Sequence, residues 1–106
     1  NITVHNNLLL YLGAGNDAAG LDHVAVDHLT LIDAGGGNDT VTIVNGILDQ
    51  LMAFMGAGDD HLIVAGSSAN KALLRGGPRS SDALTLQTNI VGTLDQSEFE
   101  FVNVIP

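Results

Sequence analysis

The sequence predicts an all-β protein: a parallel β-helix, or β-solenoid, of about 21–22 residues per coil and four to five coils, forming one domain over residues 1–106. Three observations lead there. A turn rich in Gly, Asn and Asp recurs at near-constant spacing. Short apolar or β-branched runs flank the copies. No window keeps apolar residues at helical spacing without meeting Gly or a turn cluster.

The turn copies are Leu12-Gly13-Ala14-Gly15-Asn16-Asp17, Ala34-Gly35-Gly36-Gly37-Asn38-Asp39, Met55-Gly56-Ala57-Gly58-Asp59-Asp60 and a degraded fourth, Arg75 to Asp82. Their last Asp residues stand 22, 21 and 22 positions apart. Apolar stretches precede them at Leu8–Leu12, Leu29–Ile32, Leu51–Met55 and Ala72–Leu74, and strand-like runs follow three of them at Val41–Val44, Leu62–Val64 and Leu84–Leu86. After the first turn the run Ala18–Leu21 is weaker, and a β-rich piece, Val24-Ala25-Val26, comes later. A meander of hairpins could also use Gly-Asn-Asp turns. It would not need the same turn at the same period, whereas a coil stacked on itself does. Ile2–Val4 and Phe99–Val104 read as strands at the two ends. Open sheet ends of this kind can pair with further copies, so head-to-tail self-association into filaments is an expectation.

Composition narrows the function. Twelve acidic residues against three basic ones give a net charge of −9, which leaves nucleic-acid backbones without electrostatic footing and favours cations. With no Cys, disulfides, thiolate metal sites and thiol catalysis are excluded. The longest apolar run, Leu8–Leu12, is too short for a transmembrane segment. No basic-plus-apolar leader opens the sequence, so any secretion signal is expected to lie outside it.

Within the turn, alternate Gly residues permit positive φ and close approach of neighbouring coils, and Asn or Asp can close the turn through its own backbone. Stacking places Asp17, Asp39 and Asp60 in a column. Their mutual repulsion calls for protonation, outward splay or a bound cation, for which a hard divalent ion with oxygen ligands is the economical choice.

These turns resemble the Gly-Gly-x-Gly-x-Asp-x-apolar-x nonapeptide of the repeats-in-toxin (RTX) calcium-binding proteins. The second and third fit through the apolar position, at Val41 and Leu62, and the first fits through Asp17. The resemblance implies calcium between adjacent turns, held by Asp17, Asp39 and Asp60 with Asn16, Asn38 and Asp59 beside them. The turn carbonyls of Gly13, Gly15, Gly35, Gly37, Gly56 and Gly58 would complete the ligand set. The first Gly of the pattern is replaced by Leu12, Ala34 and Met55, and the motif occurs once per coil rather than in tandem. The chain is more similar overall to long extracellular β-helical repeat proteins and adhesins of bacteria.

Other constellations are weaker. His5, His23, His28 and His61 do not follow the repeat, although Asp27-His28 and Asp59-Asp60-His61 could offer mixed metal ligands. Asp59 and Asp60 are the adjacent carboxylate pair, but neighbours on a strand face opposite ways, so no catalytic set is assigned. Thr40 and Thr42 make a Thr-x-Thr pair that no other coil repeats, and Asp33 interrupts the aromatic positions Tyr11 and Phe54. Arg75 and Arg79 fall in the degraded turn, where a guanidinium bridging Asp60 or Asp82 would replace a metal. The expected function is that of an extracellular or cell-surface structural or adhesive solenoid, not an enzyme, stabilised by calcium. The alternative is a calcium-dependent polysaccharide-binding or polysaccharide-active module, with carbohydrate as its partner.

Overall fold

A computed structural model describes residues 1–78, 81–87 and 90–105, and its architecture is a parallel β-solenoid of about four turns. The strands are β1 (Ile2–Val4), β2 (Leu8–Tyr11), β3 (Ala18–Asp22), β4 (Val24–Asp33), β5 (Thr40–Val44), β6 (Ile47–Phe54), β7 (His61–Ala65), β8 (Ser68–Arg75), β9 (Ala83–Gln87), β10 (Ile90–Ser97) and β11 (Phe101–Ile105). They form two parallel sheets. One runs β1-β4-β6-β8-β10, with β2 also paired to β4, and the other runs β3-β5-β7-β9-β11. A coil is therefore a short strand, a corner, a long strand and a Gly/Asx turn.

Side-chain alternation decides which way each strand faces. In β5, Val41 and Ile43 are buried while Thr40 is exposed and Thr42 half-buried, as a period of two requires. Parallel register then stacks like on like: Val41 on Leu62 on Leu84, and Ile43 on Val64 on Leu86. From the facing sheet, Ile32, Ala53 and Leu74 form a matching stack, each at most 1% exposed. The interior is thus filled by columns, and a short residue such as Ala53 sits between larger neighbours.

Two details differ from the sequence reading. The weak run after the first turn is a full strand: Ala18–Asp22 pairs residue for residue with Thr40–Val44. Val24-Ala25-Val26 belongs to the next long strand, beyond a corner. That corner is a second column, made by His23 and Asn45, both at φ 55°, with Gly66 at φ 58°. Its residue types vary, so only Asn45 and Gly66 hint at it; Asn and Gly tolerate this left-handed geometry well. The step of 21 rather than 22 arises at a bulge between Val26 and Leu29, where β4 carries one more residue than β6.

Glycine is required at particular turn positions. Gly37 has φ 118°, and a Cβ there would run into the Gly15 carbonyl of the coil before it. Gly36, next in sequence, has an ordinary φ, and a Cβ there would meet nothing within 4 Å. Ala14 and Ala57 already occupy its place in the other coils. Gly37→Ala is therefore expected to destabilise the fold by about 2 kcal/mol or more, and Gly36→Ala to change it by less than about 1 kcal/mol in either direction. Chemical denaturation of the two variants checks this. Equal losses would show that the turn selects glycine for a reason other than φ and close approach.

Candidate functional site

The turn column unites most of the residues singled out from the sequence. Asp17, Asp39 and Asp60 stack on successive coils, and Asp82 joins them below. They do not splay into water: Asp39 is 1% exposed, Asp60 2% and Asp82 0%. Their bonds cross to the neighbouring coil. The Asp17 N–H donates to Asp39 Oδ1, the Asp39 N–H to Asp60 Oδ1 and the Asp60 N–H to Asp82 Oδ1, each at 2.8 Å. Asp39, Asp60 and Asp82 thus each cap an amide of the coil preceding them.

A second ladder runs beside the first with opposite polarity. The Asn38 N–H donates back to Asn16 Oδ1 at 2.7 Å, the Asp59 N–H to Asn38 Oδ1 at 2.9 Å and the Ser81 N–H to Asp59 Oδ1 at 3.0 Å. This outer ladder is solvent-exposed, the inner one enclosed. Backbone groups between them interlock as well: the Gly36 N–H bonds Gly13 O, and the Ala57 N–H bonds Gly35 O. The carbonyls of Gly13 and Gly35 are therefore engaged between coils.

The inner column has an electrostatic remainder. Oδ2 of Asp17, Asp39 and Asp60 is buried and finds no hydrogen-bond partner among the described residues. Two ionised carboxylates about 5 Å apart repel by roughly 3 kcal/mol at an effective dielectric constant near 20. Burial pushes the Asp60 carboxyl up from 3.8 to about 6, and the carboxylates of Asp82, Asp39 and Asp59 push the same way against the Asp39 N–H. The column favours a proton, or another positive charge, at Asp60.

Elsewhere the candidates disperse. His5 Nδ1 meets Asp27 Oδ2 at 3.1 Å, His23 Nδ1 meets Asp22 Oδ1 at 2.6 Å, and His61 Nε2 faces Thr85 Oγ1 at 3.4 Å. Among the described residues, no group of three or more His, Asp or Glu side chains gathers around a common point. Arg75 does not reach Asp60 or Asp82. Its neighbour Leu74 faces the core, so Arg75 turns outward, and its guanidinium makes two bonds to the Asp95 carboxylate, at 3.1 and 3.3 Å. Arg79 lies outside the described residues. An outer-surface groove of about 270 Å³ is lined by residues including Gln50, Met52, Lys71, Leu73, Thr93 and Asp95, without Arg75 or an exposed aromatic. Among the described residues no helix is long and apolar enough to cross a membrane.

No family model, curated protein or solved structure matches this chain.

Sequence spacing located the column but not its bonding partners, because a period says which residues stack and not which atoms meet. Of the three complete turns, that of Asp39 alone has another complete turn on both sides. Asp82 extends the column, so Asp60 has the same two-sided bonding. Asp60→Ala should leave the Asp39 N–H without its acceptor and cost about 2–4 kcal/mol, cavity included. Asp60→Asn keeps an acceptor and removes the charge, so it should be tolerated. In metal-free buffer, the native stability contributed by protonating Asp60 is present below pH 3.8 and is lost as pH rises through about 6. Unfolding free energy measured from pH 4 to 8 should therefore fall by a few kcal/mol in the wild type and stay flatter in Asp60→Asn. A rise over that range would show that Asp60 is stabilised in its ionised form.

Proposed function

We propose that the protein is a structural or adhesive β-solenoid segment of an extracellular or cell-surface assembly, and that calcium occupies its buried carboxylate column at neutral pH. The observation that carries the reading is the enclosed Asp column with one spare Oδ2 per coil at Asp17, Asp39 and Asp60. These oxygens are hard donors, suited to calcium rather than to softer transition metals.

The turn residues also support a structural role. Their glycines, amides and Oδ1 atoms are committed to holding one coil on the next. The outer-ladder oxygens of Asn16 and Asn38 are already accepting amides and would not be calcium's principal ligands. A site with few free oxygens binds weakly, in the range of extracellular modules with dissociation constants of about 0.1–1 mM. That range suits a calcium-rich exterior. Protons and calcium would then compete for the same Oδ2 atoms, since a carboxylate must be deprotonated to take the metal.

The competition defines the test. At pH 7.5, calcium at about 100 times its dissociation constant should stabilise the fold by about 2.7 kcal/mol over the chelated protein. At pH 5 the gain should shrink, because the column already holds protons. Melting temperatures with calcium and with chelator at the two pH values give the answer. Equal values at pH 7.5 would remove calcium from the account and leave protonation as the way the column is neutralised.

A further inference from the structure

The two ends of the solenoid differ in what their turns leave over. Each junction between complete turns uses four hydrogen bonds, two in each direction. Between the first and second turns they are Gly36 N–H to Gly13 O at 3.2 Å, Gly15 N–H to Gly36 O at 2.9 Å, Asn38 N–H to Asn16 Oδ1 at 2.7 Å and Asp17 N–H to Asp39 Oδ1 at 2.8 Å. Between the second and third they are Ala57 N–H to Gly35 O, Gly37 N–H to Ala57 O, Asp59 N–H to Asn38 Oδ1 and Asp39 N–H to Asp60 Oδ1.

On its N-terminal side the first turn presents the same four groups. Ala14 N–H and Asn16 N–H are the donors, and Ala14 O and Asp17 Oδ1 the acceptors. No group among the described residues meets them. Next to them the inward-facing Leu8, Leu10, Leu12 and Leu21 are only partly covered, packed on the core from one side.

The C-terminal end carries no such set. The turn between β10 and β11 is cut to residues 98–100, and the Asp82 carbonyl accepts both the Glu100 and Phe101 N–H groups at 3.0 Å. Phe99 packs against the core there. Glu100 follows Asp82 in register, at the place of a turn's last Asp, while Glu98 follows Gly76, at the place of Met55, so the Asx–Asp pair is not reproduced. A second copy stacked head to tail would bring the Glu100 carboxylate towards Asp17 and add like charge.

We infer that the N-terminal end is a docking surface for one further coil of the same kind. Its occupant is a parallel strand–turn–strand segment whose turn carries an Asx–Asp pair. The Asx Oδ1 accepts the Asn16 N–H, and the Asp N–H donates to Asp17 Oδ1. The inference rests on the fold and its hydrogen bonds, and holds whether or not calcium binds.

Extending the protein with a copy of residues 24–44 directly before Asn1 places the copied Asn38 and Asp39 one 22-residue step ahead of Asn16 and Asp17. In the extended chain the Asn16 amide should exchange with solvent at least about tenfold more slowly than in the original. Replacing the copied Asn38 by Ala should restore fast exchange at Asn16 while the body stays folded. With chelator present in both, Asp17→Ala should lower the melting temperature of the extended chain by more than that of the original. An added coil that exchanges as unfolded chain beside a folded body, or an Asp17→Ala cost equal in the two backgrounds, would overturn the inference. Sedimentation of the original chain supplies the remaining comparison. Concentration-dependent association that protects Asn16 would make a second copy the occupant and overturn the one assigned here.

Discussion

The amides of the Gly/Asx turn need acceptors, and the side chains of the adjacent coil are within reach to provide them. In the strands, parallel pairing satisfies the backbone. In the turns the chain changes direction, and unpaired N–H groups enclosed there would each cost about 1–3 kcal/mol. Asp39, Asp60 and Asp82 meet this need on the inside, while Asn16, Asn38 and Asp59 meet it on the outside. The period follows from the same constraint, because a turn can cap its neighbour only if its Asx pair returns to the same height in each coil. So do the glycines: a side chain at Gly37 or Gly58 would collide with the coil before it and hold the turns too far apart for those bonds.

The inner ladder uses a carboxylate where an amide could serve, and this makes the scaffold responsive. Asp39 and Asp60 each spend one carboxylate oxygen on the preceding coil and leave the other buried. Like charges are stacked one coil apart with solvent excluded, so the column's charge state and the fold's stability are coupled. The outer ladder, alternating Asn16, Asn38 and Asp59 in water, carries little of this burden. The opposite polarity of the two ladders also gives each coil distinct upper and lower surfaces, which is why the two ends are chemically unlike.

Much of this was legible in the sequence because a solenoid writes its geometry as a period. The recurrence of Asp17, Asp39 and Asp60 fixed the stacking, and the alternation around Val41 and Ile43 fixed the inward face. The second corner was harder to see, since His23, Asn45 and Gly66 share a backbone conformation and not a residue type. Ala18–Asp22 carries a weak strand signal for a related reason. It is poor in β-formers, but its register against Thr40–Val44 supplies the order that propensity does not. Arg75 was read with its turn when it belongs to the outer face of β8, because a guanidinium's direction is set by strand alternation and not by proximity in sequence.

The central claim is that side chains of one coil cap the turn amides of the next, and amide hydrogen exchange resolved by residue tests it most directly. The N–H groups of Asp39 and Asp60 lie in a turn, where an amide facing solvent exchanges rapidly. If Asp60 and Asp82 hold them, they should exchange only through global unfolding, as slowly as the central strand amides of Val41 and Leu62. Rapid exchange at Asp39 and Asp60, with Val41 and Leu62 still protected, would contradict the account.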